Sequence, residues 1–312
     1  MGLGQSAGGN HLTMMSAQTA FEAYEAVRHR LPAMTPSDAG FRRMATLAHL
    51  ADGFDVFLLD AFGVLNIGEA AIPGTRERIE DLRTAGKRVL VVSNAAGFPH
   101  DALIEKYTRL GYDFASEDVI TSRATLLAGL NGRHNVHWGL MATRKSGLRD
   151  LEDLTLTYLE EDPAAYDQVE GFLLVGSAAW TEERQALLEA ALKRNPRPVL
   201  VGNPDIVAPR ETGFSVEPGH FAHRLANQTG VVPEFYGKPF PDIFELAFKR
   251  LGPVDRSRVL MVGDSLHTDI LGARHVGISS ALIADYGFFA GQDAEKAVQA
   301  TGIVPQFIVD RP

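Results

Sequence analysis

The chain has 312 residues, of which 45% are hydrophobic and 22% charged, a composition typical of globular proteins. Its formal net charge of -9 argues against a nucleic-acid partner, because such binding needs lysine and arginine to neutralise phosphates. The chain has no cysteine, which excludes disulfides, thiol catalysis and cysteine-ligated zinc.

The ends and apolar runs of the sequence predict a soluble protein. No stretch approaches the length of apolar sequence that spans a bilayer, so we expect no membrane partner. The N-terminus lacks the basic-then-apolar order of a secretion signal, which favours a cytoplasmic location. Residues 1–6 match the N-myristoylation pattern, but we favour a flexible N-terminal leader over residues 1–16.

The first half of the chain predicts a parallel sheet. Helical patterns around Phe21–Arg30 and Phe41–Ala51 are expected to cover it. A buried strand at Val56–Leu59, a helix at Arg76–Ala85 and a strand at Arg88–Val92 follow. Strand, helix and strand at this spacing imply a right-handed parallel crossover.

The later elements predict that a second domain interrupts the first. The first domain continues with a strand at Asp118–Thr121 and a helix at Arg123–Leu130, and strands at Val259–Val262 and Ser280–Ile283 return to it after residue 212. We therefore predict an α/β protein with a discontinuous core domain (17–130 and 213–312) and an inserted α/β domain (131–212). The inserted domain is predicted from these elements: strands His137–Met141, Gly171–Val175 and Pro198–Val201, and helix Glu182–Arg194.

Polar residues follow several of the predicted strands. Ligands of an open parallel sheet bind outside the carboxyl ends of its strands, so these residues are the first candidates for chemistry. Asp60 follows Val56–Leu59, and its carboxylate could act as a nucleophile or merely cap a turn. Ser93 and Asn94 end the next strand and could hold a phosphate oxygen or simply form a turn.

Two further segments add charge to the same edge. Lys238 lies between Gly237 and Pro239, just before a predicted helix. Asp264 and Asp269 follow the strand Val259–Val262. Carboxylates that face Asp60 repel one another unless a cation lies between them, which favours Mg²⁺.

In this order, the four segments resemble the motifs of the haloacid dehalogenase (HAD) superfamily of aspartate-nucleophile hydrolases, over roughly residues 50 to 290. Within it, the chain is similar to class IIA, the nitrophenylphosphatase-like and nucleotidase-like subfamily. The resemblance implies a Rossmann-like parallel-sheet core with an inserted α/β cap. It also implies these roles: Asp60 as nucleophile and metal ligand, the backbone carbonyl of Phe62 and Asp264 as metal ligands, and Asp269 as a supporting ligand. Ser93 and Lys238 are the other predicted catalytic residues, with Lys238 balancing the negative charge of nucleophile and substrate. The predicted substrate-binding residues are Ser93, Asn94, Asn203 and Lys238.

Phe62 departs from the pattern of that family. Its phosphatases usually carry a second aspartate two residues after the nucleophile, which protonates the leaving oxygen and later deprotonates water. Losing such a group typically costs about 10²- to 10⁴-fold in rate. Dehalogenases of the superfamily carry an aromatic residue here, since halide leaves without a proton. His267 is a candidate for a substitute proton carrier, although loop histidines are more often surface residues.

The position of the insertion favours a phosphatase. It follows the second motif, as in the phosphatase-type subfamily, whereas dehalogenases carry their insertion after the first. We therefore predict a Mg²⁺-dependent hydrolase of a small phosphorylated metabolite, with a covalent intermediate on Asp60. A dehalogenase-type hydrolase and an attenuated phosphometabolite-binding protein are the alternatives. A homodimer is a further expectation, because caps of this type often contribute to dimer contacts in related proteins.

Overall fold

The computed structural model describes residues 14–34, 40–210 and 213–312. In chain order, the strands are β1 Met14–Met15, β2 Arg42–Thr46, β3 Val56–Leu59, β4 Asn66–Ile67, β5 Ala70–Ala71, β6 Arg88–Ser93, β7 Val119–Thr121, β8 His137–Met141, β9 Thr155–Tyr158, β10 Gly171–Leu174, β11 Val199–Val201, β12 Val207–Pro209, β13 Phe214–Val216, β14 Glu234–Phe235, β15 Val259–Gly263, β16 Ser279–Ile283 and β17 Phe307–Arg311. The α-helices are α1 Ala17–Ala26, α2 Thr75–Thr84, α3 His100–Arg109, α4 Ser122–Gly129, α5 Pro163–Gln168, α6 Glu182–Arg194, α7 Pro218–Thr229, α8 Pro241–Leu251, α9 Leu271–His275 and α10 Ala294–Thr301.

The largest sheet is parallel, in the order β2-β17-β16-β15-β3-β6-β7. Its central strands are buried on both faces, as helices on each side of a parallel sheet require. Phe57 and Leu59 of β3 pack in one apolar cluster, and Val56 and Leu58 pack in another. This alternation is typical of a strand with packed layers on both faces, and it agrees with the predicted α/β fold.

The edge of this sheet differs from the sequence prediction. The pattern at Phe41–Ala51 predicted a helix, but β2 occupies Arg42–Thr46 and pairs with β17. Only Leu47–Gly53 is helical, as a 3₁₀ segment whose Leu47 and Leu50 are buried. β17 was not predicted from the sequence, so its pairing with β2 was not predicted either. The aromatic and β-branched residues of β17 are nevertheless typical of a strand.

A second parallel sheet has the order β14-β11-β10-β8-β9. Residues of α7, including Phe221 and Leu225, pack in its apolar cluster with Phe172 and Val199. Both α7 and β14 lie after residue 212, where the inserted domain was predicted to end. The division into core and cap remains a prediction, and we propose that its second boundary lies near residue 236.

A small antiparallel sheet has the order β1-β13-β12, and its strands β12 and β13 lie between β11 and α7 in the chain. Most of the predicted leader, including the myristoylation pattern, lies outside the described residues. Its last part does not remain a leader, because β1 pairs with Phe214 and Ser215. Among the described residues, no helix combines the length and apolar character needed to cross a membrane.

Candidate active site

The predicted strand ends meet at one edge of the seven-stranded sheet. β15, β3 and β6 are neighbours, so Asp264, Asp60 and Ser93 come from three adjacent strand ends. The backbone N–H of Asp60 donates to the carbonyl of Val262 at 2.8 Å, which fixes the first residue of the loop beside β15. The geometry therefore brings together the residues that the sequence placed at this edge.

A buried ammonium joins two of the carboxylates. Lys238 Nζ lies 2.6 Å from Asp60 Oδ1 and 2.7 Å from Asp269 Oδ1, and its side chain is 1% exposed. Burial lowers the pKa of Lys238, but the charges of Asp269 and Asp60 outweigh it and leave that pKa above its usual value. Lys238 therefore stays charged and holds the Asp60 carboxylate in place.

Asn94 determines where Lys238 lies. Its Oδ1 accepts from the Lys238 backbone N–H at 2.7 Å, and its Nδ2 donates to the Lys238 carbonyl at 2.9 Å. The same Nδ2 donates to Asp205 Oδ1 at 2.7 Å. Both N–H bonds of the amide are thus engaged, which gives Asn94 a positioning role. Its predicted contact with substrate remains a prediction.

Asp60, Asp264 and Asp269 form a cluster that could hold a cation. One carboxylate oxygen from each lies within 4.8 Å of the others. Burial, followed by the charge of Asp269, raises the pKa of Asp60 to about 7. Burial and the charge of Asp60 also raise the pKa of Asp264. Because Lys238 supplies a single positive charge to three carboxylates, the cluster retains excess negative charge, which suits a hard divalent cation.

Backbone groups orient the carboxylates that follow β15. The N–H of Ser265 donates to Asp269 Oδ2 at 3.1 Å, and the N–H of Phe288 donates to Asp264 Oδ2 at 2.7 Å. Asp269 is fully buried and also contacts Lys238, which fits the supporting role predicted for it. Asp60 and Asp264, with the Phe62 carbonyl, remain the proposed direct ligands.

A glycine beside Asp264 gives a test of this arrangement. Gly287 has φ +69°, and a Cβ there would overlap Asp264 Oδ2. Gly291 has a similar φ of +71° but no atom within 4 Å of its virtual Cβ. We expect G287A and G291A each to lose about 1 to 2 kcal/mol of folding free energy to the left-handed backbone. Only G287A should also weaken Mg²⁺ binding, by about 10- to 100-fold, measured by calorimetric titration. Equal Mg²⁺ affinities in the two variants would rule out this role of the Asp264 orientation.

The raised pKa values predict how metal binding depends on pH. The pKa of Asp60 rises on folding from 3.8 to about 7, so the metal-free folded state binds its proton more tightly than the unfolded chain. Stability from this group is therefore greatest at low pH and declines between about pH 4 and pH 7. A divalent cation removes the cost of the ionised carboxylates.

We expect the increase in melting temperature on adding Mg²⁺ to grow as pH rises through this interval, relative to EDTA-treated protein. Each unit of pKa change corresponds to about 1.4 kcal/mol, so the free energy of unfolding that Mg²⁺ adds should increase by a few kcal/mol over this interval. Scanning calorimetry with and without Mg²⁺ measures it. An increment independent of pH between 4 and 7 would contradict this electrostatic account.

A cavity of about 590 Å³ opens on the acidic cluster. Asp60, Phe62 and Ser93 line it together with residues that follow β10 and β11 of the second sheet. Cations lie over the Phe62 ring, with Lys106 Nζ 5.3 Å and Arg210 Cζ 5.5 Å from its centroid. The cavity has the size of a small-metabolite site.

The loop after β11 supplies polar groups to the cavity wall. Asn203, a predicted substrate residue, lines the cavity, and its Nδ2 donates to Glu217 Oε2 at 3.3 Å. Its Oδ1 accepts from the backbone N–H of Asp205 at 3.0 Å. Asp205, Glu217 and Arg210 also line the cavity, and they were not among the predicted site residues.

His267 does not lie where a substitute proton carrier would act. It is absent from the cavity lining, and its side chain is 2% exposed. Its Nε2 lies 2.5 Å from Glu25 Oε1, and its ring stacks on Tyr24 at 4.9 Å. The contacts of His267 therefore attach helix α1 to the loop that carries Asp269.

Family models match both parts of the seven-stranded sheet. The model described as haloacid dehalogenase-like hydrolase matches residues 57–152, and the HAD-hydrolase-like model matches residues 235–310. The matched segments contain β3, β6, β15 and the motifs that meet at the acidic cluster. The chain belongs to the haloacid dehalogenase-like hydrolases.

Individual relatives agree with this assignment and with class IIA. The chain is 29% identical to an acid sugar phosphatase of Staphylococcus aureus over 229 residues, which cover 73% of this chain and 85% of the relative. A possible sugar phosphatase of Cytophaga hutchinsonii has a similar structure, with a TM-score of 0.77 at 24% identity, over 86% of this chain and 98% of that one. A glycerol phosphate phosphatase of Mycobacterium tuberculosis, solved in complex with magnesium, has a TM-score of 0.66 at 24% identity, over 83% of this chain and 75% of that one.

Proposed function

We propose that this HAD-like hydrolase is a divalent-metal-dependent phosphatase of small phosphorylated compounds, sugar phosphates among them. The observation that carries the proposal is the buried cluster of Asp60, Asp264 and Asp269, whose excess negative charge faces a cavity of metabolite size. The names of the S. aureus relative and the C. hutchinsonii structure support the substrate class. Mg²⁺ is the proposed cation, and the magnesium complex of the M. tuberculosis phosphatase supports that choice.

The geometry of Asp60 suits a nucleophile. Its Oδ1 accepts from the backbone N–H of Ala61 at 2.7 Å and contacts Lys238 Nζ, so the carboxylate is held in one orientation. We propose that a carboxylate oxygen of Asp60 attacks phosphorus while the ester P–O bond breaks, which gives an acyl phosphate on Asp60. Water then attacks that phosphorus and releases inorganic phosphate.

The other residues of the site bind and orient the substrate in this proposal. Ser93 is buried at the end of β6 and lines the cavity, where its hydroxyl can donate to a phosphoryl oxygen. Lys238 lowers the negative charge around Asp60 so that an anionic phosphate can approach. A divalent cation held by Asp60, Asp264 and the Phe62 carbonyl would offset charge on the phosphoryl oxygens.

A substrate screen of the purified protein tests this function. We expect Mg²⁺-dependent release of phosphate from sugar phosphates, glycerol phosphate and p-nitrophenyl phosphate, and its loss in EDTA. Haloacids belong in the same screen, because Phe62 is the feature shared with dehalogenases. Release of halide without release of phosphate would favour the alternative that the protein is a dehalogenase. Saturable binding of phosphate esters without any turnover would favour a binding protein.

A further inference from the structure

A proton carrier is missing at position 62, and a second carboxyl group lines the same cavity. Asp205 lies on the loop after β11 and, like Asp60 and Phe62, contributes to the cavity wall. Its side chain is largely enclosed by protein, with part of its surface open to the cavity. An alkoxide leaving group needs a proton, which the Phe62 ring cannot supply.

The position of Asp205 is tied to that of the proposed nucleophile. Asn94 Nδ2 donates to Asp205 Oδ1 at 2.7 Å and to the Lys238 carbonyl at 2.9 Å. Lys238 in turn contacts Asp60 Oδ1 at 2.6 Å. Asp205 is thereby fixed to the residues that orient Asp60, although it belongs to the segment between β11 and β12.

The second oxygen of this carboxyl group is available. Within the described part of the chain, Asp205 Oδ2 receives no hydrogen bond, while Oδ1 accepts from Asn94. The backbone N–H of Asp205 donates to Asn203 Oδ1 at 3.0 Å, which holds the loop. One oxygen therefore positions the group and the other can exchange a proton with a ligand in the cavity.

Burial of the Asp205 carboxyl group favours its protonated form near neutral pH. Burial raises the pKa of Asp205 to about 8, and the charges of Asp60 and Glu217 add to that rise. The hydrogen bond from Asn94 and the charge of Lys238 oppose it. Tyr24, whose hydroxyl accepts from the Ile206 N–H at 3.1 Å, packs against the same loop as a neutral phenol.

We propose that Asp205 is the acid and base of the hydrolysis, in place of the aspartate that Phe62 replaces. In the first step the Asp205 carboxyl gives its proton to the departing ester oxygen, as the bond from phosphorus to Asp60 forms. In the second step the Asp205 carboxylate takes a proton from water, whose oxygen attacks phosphorus and expels the Asp60 carboxylate. This role deepens the proposed phosphatase function and depends on it.

Two substrates with different leaving groups test the role. We expect D205N to lower kcat for glycerol phosphate by about 10²- to 10⁴-fold. With p-nitrophenyl phosphate, whose leaving group needs little proton transfer, D205N should release one equivalent of nitrophenol per enzyme in a burst and then turn over slowly. The wild type should show no burst. The amide that D205N introduces would keep an oxygen for the Asn94 N–H, so the variant is expected to fold.

The double variant F62D/D205N adds a rescue test. A carboxyl group at position 62 should restore turnover of glycerol phosphate relative to D205N. Unchanged kinetics in D205N, or equal losses on both substrates without a burst, would overturn the role. K106M, rather than D205N, could instead show the large loss on glycerol phosphate and the burst with p-nitrophenyl phosphate. That result would overturn the role of Asp205 and assign the proton to the Lys106 ammonium over the Phe62 ring.

A measurement on the wild type needs no variant. Across a series of alkyl and aryl phosphates, an internal acid makes kcat/KM nearly independent of the leaving-group pKa, and a steep dependence would overturn the proposal. Failure of the proposed function is distinguishable, because the wild type would then release no phosphate at all with Mg²⁺. If the wild type releases phosphate and D205N does so equally well, only the role of Asp205 is refuted.

Discussion

Replacing Asp60 with asparagine is expected to abolish phosphate release, with a fall in kcat of at least about 10⁴-fold, the scale seen when a nucleophile is removed. An amide oxygen is a poor nucleophile toward phosphorus, although it can still accept from the Ala61 N–H. Phosphate release assays at saturating p-nitrophenyl phosphate measure the loss. D55N is a matched control, because Asp55 lies five residues earlier in an exposed ion pair with Arg258.

The same variant must separate nucleophile from metal ligand, since Asp60 is proposed to be both. We expect turnover of D60N to stay absent as Mg²⁺ is raised far above the concentration that saturates the wild type. Recovery of turnover at high Mg²⁺ would mean that Asp60 only helps to bind the cation. In that case the covalent route through this side chain would be wrong.

Removing the buried ammonium should have the largest effect on stability. Lys238 is 1% exposed and pairs with Asp60 and Asp269, so K238M leaves two buried carboxylates without their counter-charge. Breaking a buried pair in this way costs about 3 to 5 kcal/mol. We expect that loss in the free energy of unfolding of EDTA-treated protein at pH 7.5, measured by denaturant titration. K238M should also release phosphate far more slowly than the wild type.

A second lysine provides the control for this measurement. Lys87 lies 3.5 Å from Asp55, whose side chain is 55% exposed, and such surface pairs contribute about 0 to 1 kcal/mol. K87M should therefore be nearly neutral. The cost of K238M should shrink at pH 5, because burial raises the pKa of Asp60 to about 7 and its carboxyl group is then protonated. Equal stability of K238M and K87M at pH 7.5 would show that the ion pairs of Lys238 do not hold the site together.

The sequence predicted the parts of the site that depend on strand ends. Asp60, Ser93 and Asp264 each follow an apolar run long enough to be a buried strand, and parallel strands bring their carboxyl ends to one edge. No knowledge of loop conformation is needed for that inference. The sheet edge was harder to predict, because Arg42 and Arg43 of β2 lack the alternation of a half-buried strand.

Contacts between distant segments could not be predicted from local pattern. Asn94 reads as an ordinary turn residue, yet its side chain holds Lys238, 144 residues later. Asp205 lies two residues after Asn203, a predicted substrate residue, but its place in the cavity depends on how the second sheet packs against the first. His267 was predicted as a candidate proton carrier, but its side chain contacts Glu25 of α1 instead. Such roles depend on tertiary packing, which periodicity does not encode.

Mass spectrometry of the acid-quenched enzyme tests the central claim most directly. Wild-type protein mixed with Mg²⁺ and p-nitrophenyl phosphate, quenched within one turnover and digested, should yield a peptide that contains Asp60 and is heavier by one phosphoryl group. Borohydride treatment should remove that group and reduce the same side chain. A phosphoryl group on any other residue, or none on Asp60 while nitrophenol is released, would contradict the proposal that Asp60 is the nucleophile.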